Sequence, residues 1–194
     1  MKKQLEILSS SSKELKSLST LTTLSLLMAL NIVMSQTLSI KIGSEFSIGI
    51  GFLAIAAAAY LYGPIAGGIT AALCDVIKAI FFPFGPFFPG WTLSAFIGGF
   101  IYGMFFYKRD VKLRHCIFAK ILIAIIVNIL LNALWIHLTY GSPYFPLLSA
   151  RIVKNVVSTP LEIGILYGFI KFVLVPLKRN LPQVRSTFNS KNVS

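Results

Sequence analysis

Long uncharged apolar runs, broken at intervals by short polar or Gly/Pro-rich segments, fill the chain from about residue 18 to residue 175. Two of them, Phe52 to Cys74 and Ile121 to Ser149, contain no Asp, Glu, Lys or Arg. Runs of that length exceed the roughly 18 to 20 residues that carry an α-helix across a bilayer. The breaks predict six helices. The first covers about Leu18 to Thr37, and the segment Leu38 to Phe46, with its charges Lys41 and Glu45, reads as a loop that crosses no membrane. The second covers about Ser47 to Tyr62. Gly63-Pro64 then turns tightly and starts the third with proline in the first turn, where its missing N–H costs nothing. The third runs to about Phe82, after which Pro83, Gly85, Pro86, Pro89 and Gly90 forbid a helix until Trp91. The fourth spans about Thr92 to Tyr107, the fifth ends near Tyr140, and the sixth follows the Gly141 to Pro146 turn, from about Leu147 to Val175.

The expected fold class is therefore all-α, a polytopic membrane protein of six transmembrane helices with both termini cytoplasmic. Residues 1–17 and 176–194 read as cytoplasmic tails, and 18–175 as one six-helix membrane domain. Composition agrees: 56% of the 194 residues are hydrophobic and 12% charged, against about a quarter charged in an ordinary soluble domain. The mean hydropathy is +0.79. The net charge of +12 does not point to nucleic acid, because the basic residues sit at helix ends rather than on a solvated patch with interleaved aromatics. Lys2, Lys3, Lys13 and Lys16 precede the first helix, Lys108, Arg109, Lys112 and Arg114 lie between the fourth and fifth, and Lys178, Arg179, Arg185 and Lys191 follow the sixth. The opposite loops hold only Lys41, so the positive-inside rule places the three basic segments in the cytoplasm. The apolar run at the N-terminus is long and no small-residue cleavage site follows it, which argues against a signal peptide. Cys74 and Cys116 fall on opposite sides of this topology and read as core thiols.

Small residues recur at helix-packing spacing, with Gly67 and Ala71, Gly68 and Ala72 in the third helix and Ala95, Gly99 and Gly103 in the fourth. Charges within spans call for a partner, a wet cavity or a role. Asp75, Lys78, Arg151, Lys154 and Glu162 are such cases, whereas Lys120 and Lys171, near cytoplasmic helix ends, are expected to snorkel. Asp75 and Lys78 share one face of the third helix near its outer end. Arg151 and Lys154 repeat that spacing in the first outer turns of the sixth, where cations oppose the positive end of the helix dipole and a bound anion gains from both. Aromatics crowd the same side: Phe81, Phe82, Phe84, Phe87, Phe88 and Trp91 in one loop, Tyr140, Tyr144 and Phe145 in the other. Asn128, Asn132 and Trp135 form a polar stripe on the fifth helix that suits a cavity wall. Cations and flat rings together would bind a flat, hydrogen-bonding anion. His137 reads as a packing histidine.

No G-x-x-x-x-G-K-[ST] loop, H-E-x-x-H, Cys/His cluster or G-x-S-x-G elbow occurs in the sequence, so an enzyme, a metal site or a bound cofactor is not expected. Active transport would draw on an ion gradient or on partner proteins.

Several stretches resemble the folate-specific S components (FolT type) of energy-coupling factor (ECF) transporters. They are Phe88 to Phe96 (Phe-Pro-Gly-Trp-Thr-Leu-Ser-Ala-Phe) with the following Gly99 to Tyr107, Ala29 to Val33 with Ser39 to Gly43, Tyr62 to Gly68 (Tyr-Gly-Pro-Ile-Ala-Gly-Gly), and Ala150 to Asn155 (Ala-Arg-Ile-Val-Lys-Asn). The resemblance implies a six-helix subunit of the bacterial plasma membrane that captures a vitamin from outside, with folate expected, and works with a transmembrane coupling subunit and two cytoplasmic ATPases. It also implies docking through small residues on the first helix, for which Ser25 and Ala29 are the candidates. The expected ligand set is Asp75, Lys78, Phe88, Trp91, Asn132, Trp135, Arg151, Lys154 and Asn155. Asp75 would accept the N–H pair of a pterin, Lys78 would meet its carbonyl, Arg151 and Lys154 would hold the glutamate carboxylates, and Trp91 and Trp135 would stack on the rings. An S component for another flat anionic vitamin and a homo-oligomeric secondary carrier, with Asp75 and Lys78 as an ion relay, are the alternatives.

Overall fold

In the computed structural model the described residues are 17–37, 39–42, 46–83 and 85–180, together with 7, 10–12 and 15; the side chains of 39–48 and 178–180 are excluded. The charges Lys2, Lys3, Lys13, Lys16, Glu45, Arg185 and Lys191, the ring of Phe84, and the side chains of Lys41, Lys178 and Arg179 lie outside this set.

Helix α1 covers Leu18–Thr37, as the apolar run predicts. Two short strands follow, β1 (Ser39–Ile42) and β2 (Phe46–Gly49), antiparallel with Ser39 opposite Gly49 and Ile42 opposite Phe46. Here the sequence reading is corrected: Ser39–Ile42 of the predicted loop and Phe46–Gly49, which takes in the start of the predicted second helix, are paired strands. Alternation of polar and β-branched residues in Ser-Ile-Lys-Ile favours extended backbone over helix. Helix α2 is accordingly short, Phe52–Tyr62, and its residues Leu53 to Tyr62 are all buried. Gly63, at φ +95°, makes the corner to α3 (Pro64–Phe81), and Pro64 occupies the first helical turn.

Helix α4 covers Pro89–Phe106 and starts earlier than the predicted Thr92. Pro89 begins it because a preset φ and an absent N–H both suit a first helical residue. Helix α5 runs over Leu113–Tyr140, with a widened π-type stretch over Ala124–Leu131, and Gly141 ends it in the left-handed conformation. Helix α6 begins at Tyr144, a turn before the predicted Leu147, and continues through a second π-type turn, Ile170–Leu174, to Asn180. Pro146 fits its first turn, while Pro160 within it leaves the Val156 carbonyl without a helical N–H donor.

Among the described residues four helices, α1, α3, α5 and α6, are long and apolar enough to cross a membrane. Their outward faces are lined with apolar side chains such as Leu26, Ile80, Phe118, Val156 and Phe172, each more than half exposed. Inside, α2 packs against α1, α3 and α4. The predicted small-residue seam is where α3 meets α4: a methyl group on Gly99 would strike the Gly67 carbonyl, and one on Gly67 would come within 2.6 Å of the Ala59 Cβ. Near the corner, Ser11 is fully buried, donates to the Tyr62 carbonyl at 2.8 Å and accepts from the Ile65 and Ala66 amides at 3.2 and 3.3 Å. Part of the segment expected to be a flexible tail thus caps the start of α3 from outside the helix.

Candidate ligand cavity

The glycines and alanines that let α3 and α4 touch also leave room beside them. A cavity of about 320 Å³ opens between the helices, walled by Asn31 and Ser35 of α1, Phe52 of α2, Lys78 of α3, Ser94 and Tyr102 of α4, Lys120 and Asn128 of α5 and Glu162 of α6, among others. Ser94 and Tyr102 are eight residues apart on one helix, about 12 Å along its axis, so the cavity is elongated. Lys78 is half-buried in its wall, and among the described residues no carboxylate lies within 4.0 Å of its ammonium group. Lys78 and Asp75, three residues apart on one face of α3, form no ion pair with each other.

Asp75 instead accepts a hydrogen bond from the Thr92 hydroxyl at 2.9 Å, which ties α3 to the first turns of α4 beside the cavity rather than in its wall. Two residues along α4, Ser94 accepts from the Trp135 indole at 2.9 Å, and Phe88 lies 5.4 Å from the Trp135 ring at 49°. Gly90 makes this approach possible, because a Cβ there would come within 2.6 Å of the Trp135 ring. Trp91 is half-buried at the same helix start. Phe88, Trp91, Thr92, Trp135 and Asp75 therefore gather beside the cavity near Ser94, which lines it.

The remaining expected residues link α5 to α6. Asn128 donates to the Asn155 side-chain oxygen at 2.9 Å, Asn155 donates to the Arg151 carbonyl at 2.9 Å, and the Arg151 guanidinium donates to the Asn128 carbonyl at 3.1 Å. The π-type stretch of α5 shapes this contact: the Asn132 amide reaches back to the Val127 carbonyl, five residues earlier. Arg151 thus turns toward the neighbouring helix, and Lys154 stands half-buried one turn on. The side-chain oxygen of Asn132 is buried with no partner among the described residues. Ser25 and Ala29 are both exposed on the same face of α1. His137 is exposed and its Nδ1 lies 2.7 Å from the Ser142 carbonyl across the turn that ends α5.

One feature overturns the sequence reading. Lys120 does not snorkel: it is 4% exposed, its Nζ lies 2.7 Å from Glu162 Oε2 and 3.5 Å from the centre of the Phe52 ring, and the pair lines the cavity. A charge two turns inside a helix end snorkels only if its stem points toward the interface, and this one points into the bundle. Glu162, singled out as an intramembrane charge, carried the signal; its partner 42 residues away did not. Lys171, by contrast, is exposed, with its ammonium 5.8 Å from the Tyr167 ring centre.

Comparison with known proteins finds the family described as "ECF-type riboflavin transporter, S component", whose profile matches residues 15–173. A relative from Clostridium novyi named "Folate transporter FolT" is 36% identical over 147 residues, 76% of this chain and 85% of the relative. One of the same name from Leuconostoc mesenteroides is 30% identical over 151 residues, 74% of this chain and 80% of the relative. A crystal structure described as FolT bound with folic acid superposes with a TM-score of 0.71 at 30% identity, covering 79% of this chain and 93% of that one.

Proposed function

We propose, from the premise that this chain belongs to the ECF-type transporter S-component family, that it is the folate-binding subunit of a vitamin uptake transporter. The observation that carries the reading is the elongated cavity with the ammonium of Lys78, unpaired among the described residues, in its wall, in a chain whose relatives are named folate transporters. Folate has the matching shape and charge, a flat hydrogen-bonding head and an anionic tail. Asp75 takes the N–H pair of the pterin and Lys78 its carbonyl. Phe88, Trp91 and Trp135 supply ring contacts, Asn132 offers its buried oxygen, and Arg151, Lys154 and Asn155 serve the carboxylate tail. Calorimetry on the purified protein should show tight one-to-one binding of folate and none of riboflavin. Because the matching family profile carries the riboflavin name, binding of riboflavin instead would reassign the vitamin and keep the class.

The chain performs no catalysis of its own: a transmembrane coupling subunit and two cytoplasmic ATPases supply the energy. The basic-residue asymmetry supports six spans in a bacterial plasma membrane, with residues 1–17 and 176–194 in the cytoplasm. A cysteine at Lys112 that reacted before the membrane was permeabilised would reverse that orientation. The exposed Ser25 and Ala29 give α1 a face that a partner helix can approach closely. Ser25→Trp should at least halve the coupling subunit that co-purifies, with folate affinity within about twofold of wild type. Equal loss of both would assign the pair to internal packing. A homo-oligomeric carrier would still take up folate after the ATPases are inactivated, which this reading forbids.

A further inference from the structure

Glu162 is only half used by the protein. Its Oε2 is held by Lys120 at 2.7 Å, and among the described residues its Oε1 takes no hydrogen bond, although the side chain is 19% exposed and lines the cavity. Lys120 is more fully engaged, by the carboxylate, the Phe52 ring at 3.5 Å and the Tyr102 ring at 5.6 Å. Isolated ion pairs in apolar surroundings return little stability, so a half-satisfied carboxylate facing a cavity points to a donor that arrives from outside. The cavity lining includes Lys78 of α3, with its neighbour Asp75 just outside that lining, and the Lys120–Glu162 pair of α5 and α6.

We infer that Glu162 is a specificity-determining residue that accepts an N–H from the ring edge opposite the one facing Asp75, and that the site therefore prefers reduced folates to folic acid. The inference rests on the folate reading above. In fully oxidised folic acid the pyrazine nitrogens are bare acceptors, whose lone pairs a carboxylate repels. Reduction places hydrogens on them and turns them into donors, which a carboxylate oxygen accepts. Lys120 is a positioning residue: it holds Glu162 Oε2 at 2.7 Å and so fixes which oxygen faces the ligand.

The test titrates the full chain with folic acid and with tetrahydrofolate under reducing conditions. Wild type should bind the reduced form about 10- to 100-fold more tightly. Glu162→Gln presents an amide NH2 where the oxygen was, so the preference should fall below one as the bare nitrogen becomes the better partner. Lys120→Met/Glu162→Leu strands no charge if the single variant fails to fold, and should bring the ratio close to one. Equal affinity of wild type for both ligands, or a preference that survives in the double variant, would overturn the inference while leaving folate binding intact. Wild type that binds neither ligand would refute the folate reading itself.

Discussion

Asp75→Ala is expected to weaken folate binding by about 30-fold to several thousand-fold, corresponding to on the order of 2–5 kcal/mol for removing one partner of a desolvated, charged hydrogen-bond pair. Thr92 occupies one oxygen of the carboxylate at 2.9 Å and fixes its orientation, so the ligand would meet a preset acceptor. Thr92→Val should accordingly produce a smaller loss, because the carboxylate remains but is no longer held. Lys154→Ala should cost least, since a half-buried cation near water contributes little. The measurement is calorimetry on the isolated protein, with thermal unfolding as a check on integrity. Wild-type affinity in Asp75→Ala, or a larger loss in Lys154→Ala, would remove Asp75 from the site.

Lys120→Ala should destabilise the unliganded protein by about 3–5 kcal/mol, because Glu162 is left as an unpaired charge among apolar helices. The expected fall in the unfolding midpoint is on the order of 10 °C. Lys120→Met/Glu162→Leu should recover most of it, since both charges leave together and two apolar side chains of similar length replace them. Lys171→Ala is the control: that lysine is exposed, and its removal should shift the midpoint by no more than a degree or two. A double variant as unstable as the single one would mean that the pair contributes through shape rather than charge.

The helical frame was legible because its signals are local. An uncharged run fixed α1 to Leu18–Thr37, a proline after a glycine marked the α2–α3 corner, and Gly141 marked the end of α5. The hairpin escaped because two four-residue strands carry too short an alternation to outweigh the apolar context around them. Among the candidate site residues, the Phe88 to Trp91 turn and the Asn128 to Trp135 stripe are brought to neighbouring walls, as helical spacing allows one to read. The Arg151 contact with a backbone carbonyl of α5 depends on how two helices are rotated about their axes. So does the meeting of Lys120 with Glu162, and rotation leaves no mark in the spacing of either segment.

The shortness of α2 bears on how the protein is made. Eleven residues give about 16 Å of helix, roughly half the thickness of a bilayer's hydrocarbon core, so α2 is too short to be inserted as an independent span. It is joined to the 18-residue α3 only through Gly63, and its polar backbone beyond Phe52 continues into a hairpin whose strands satisfy each other. Insertion must therefore treat α2 and α3 as one helical hairpin, with α3 as the segment the insertion machinery recognises. A ribosome stalled after residue 62 would hold a chain whose second helix has not yet entered the membrane.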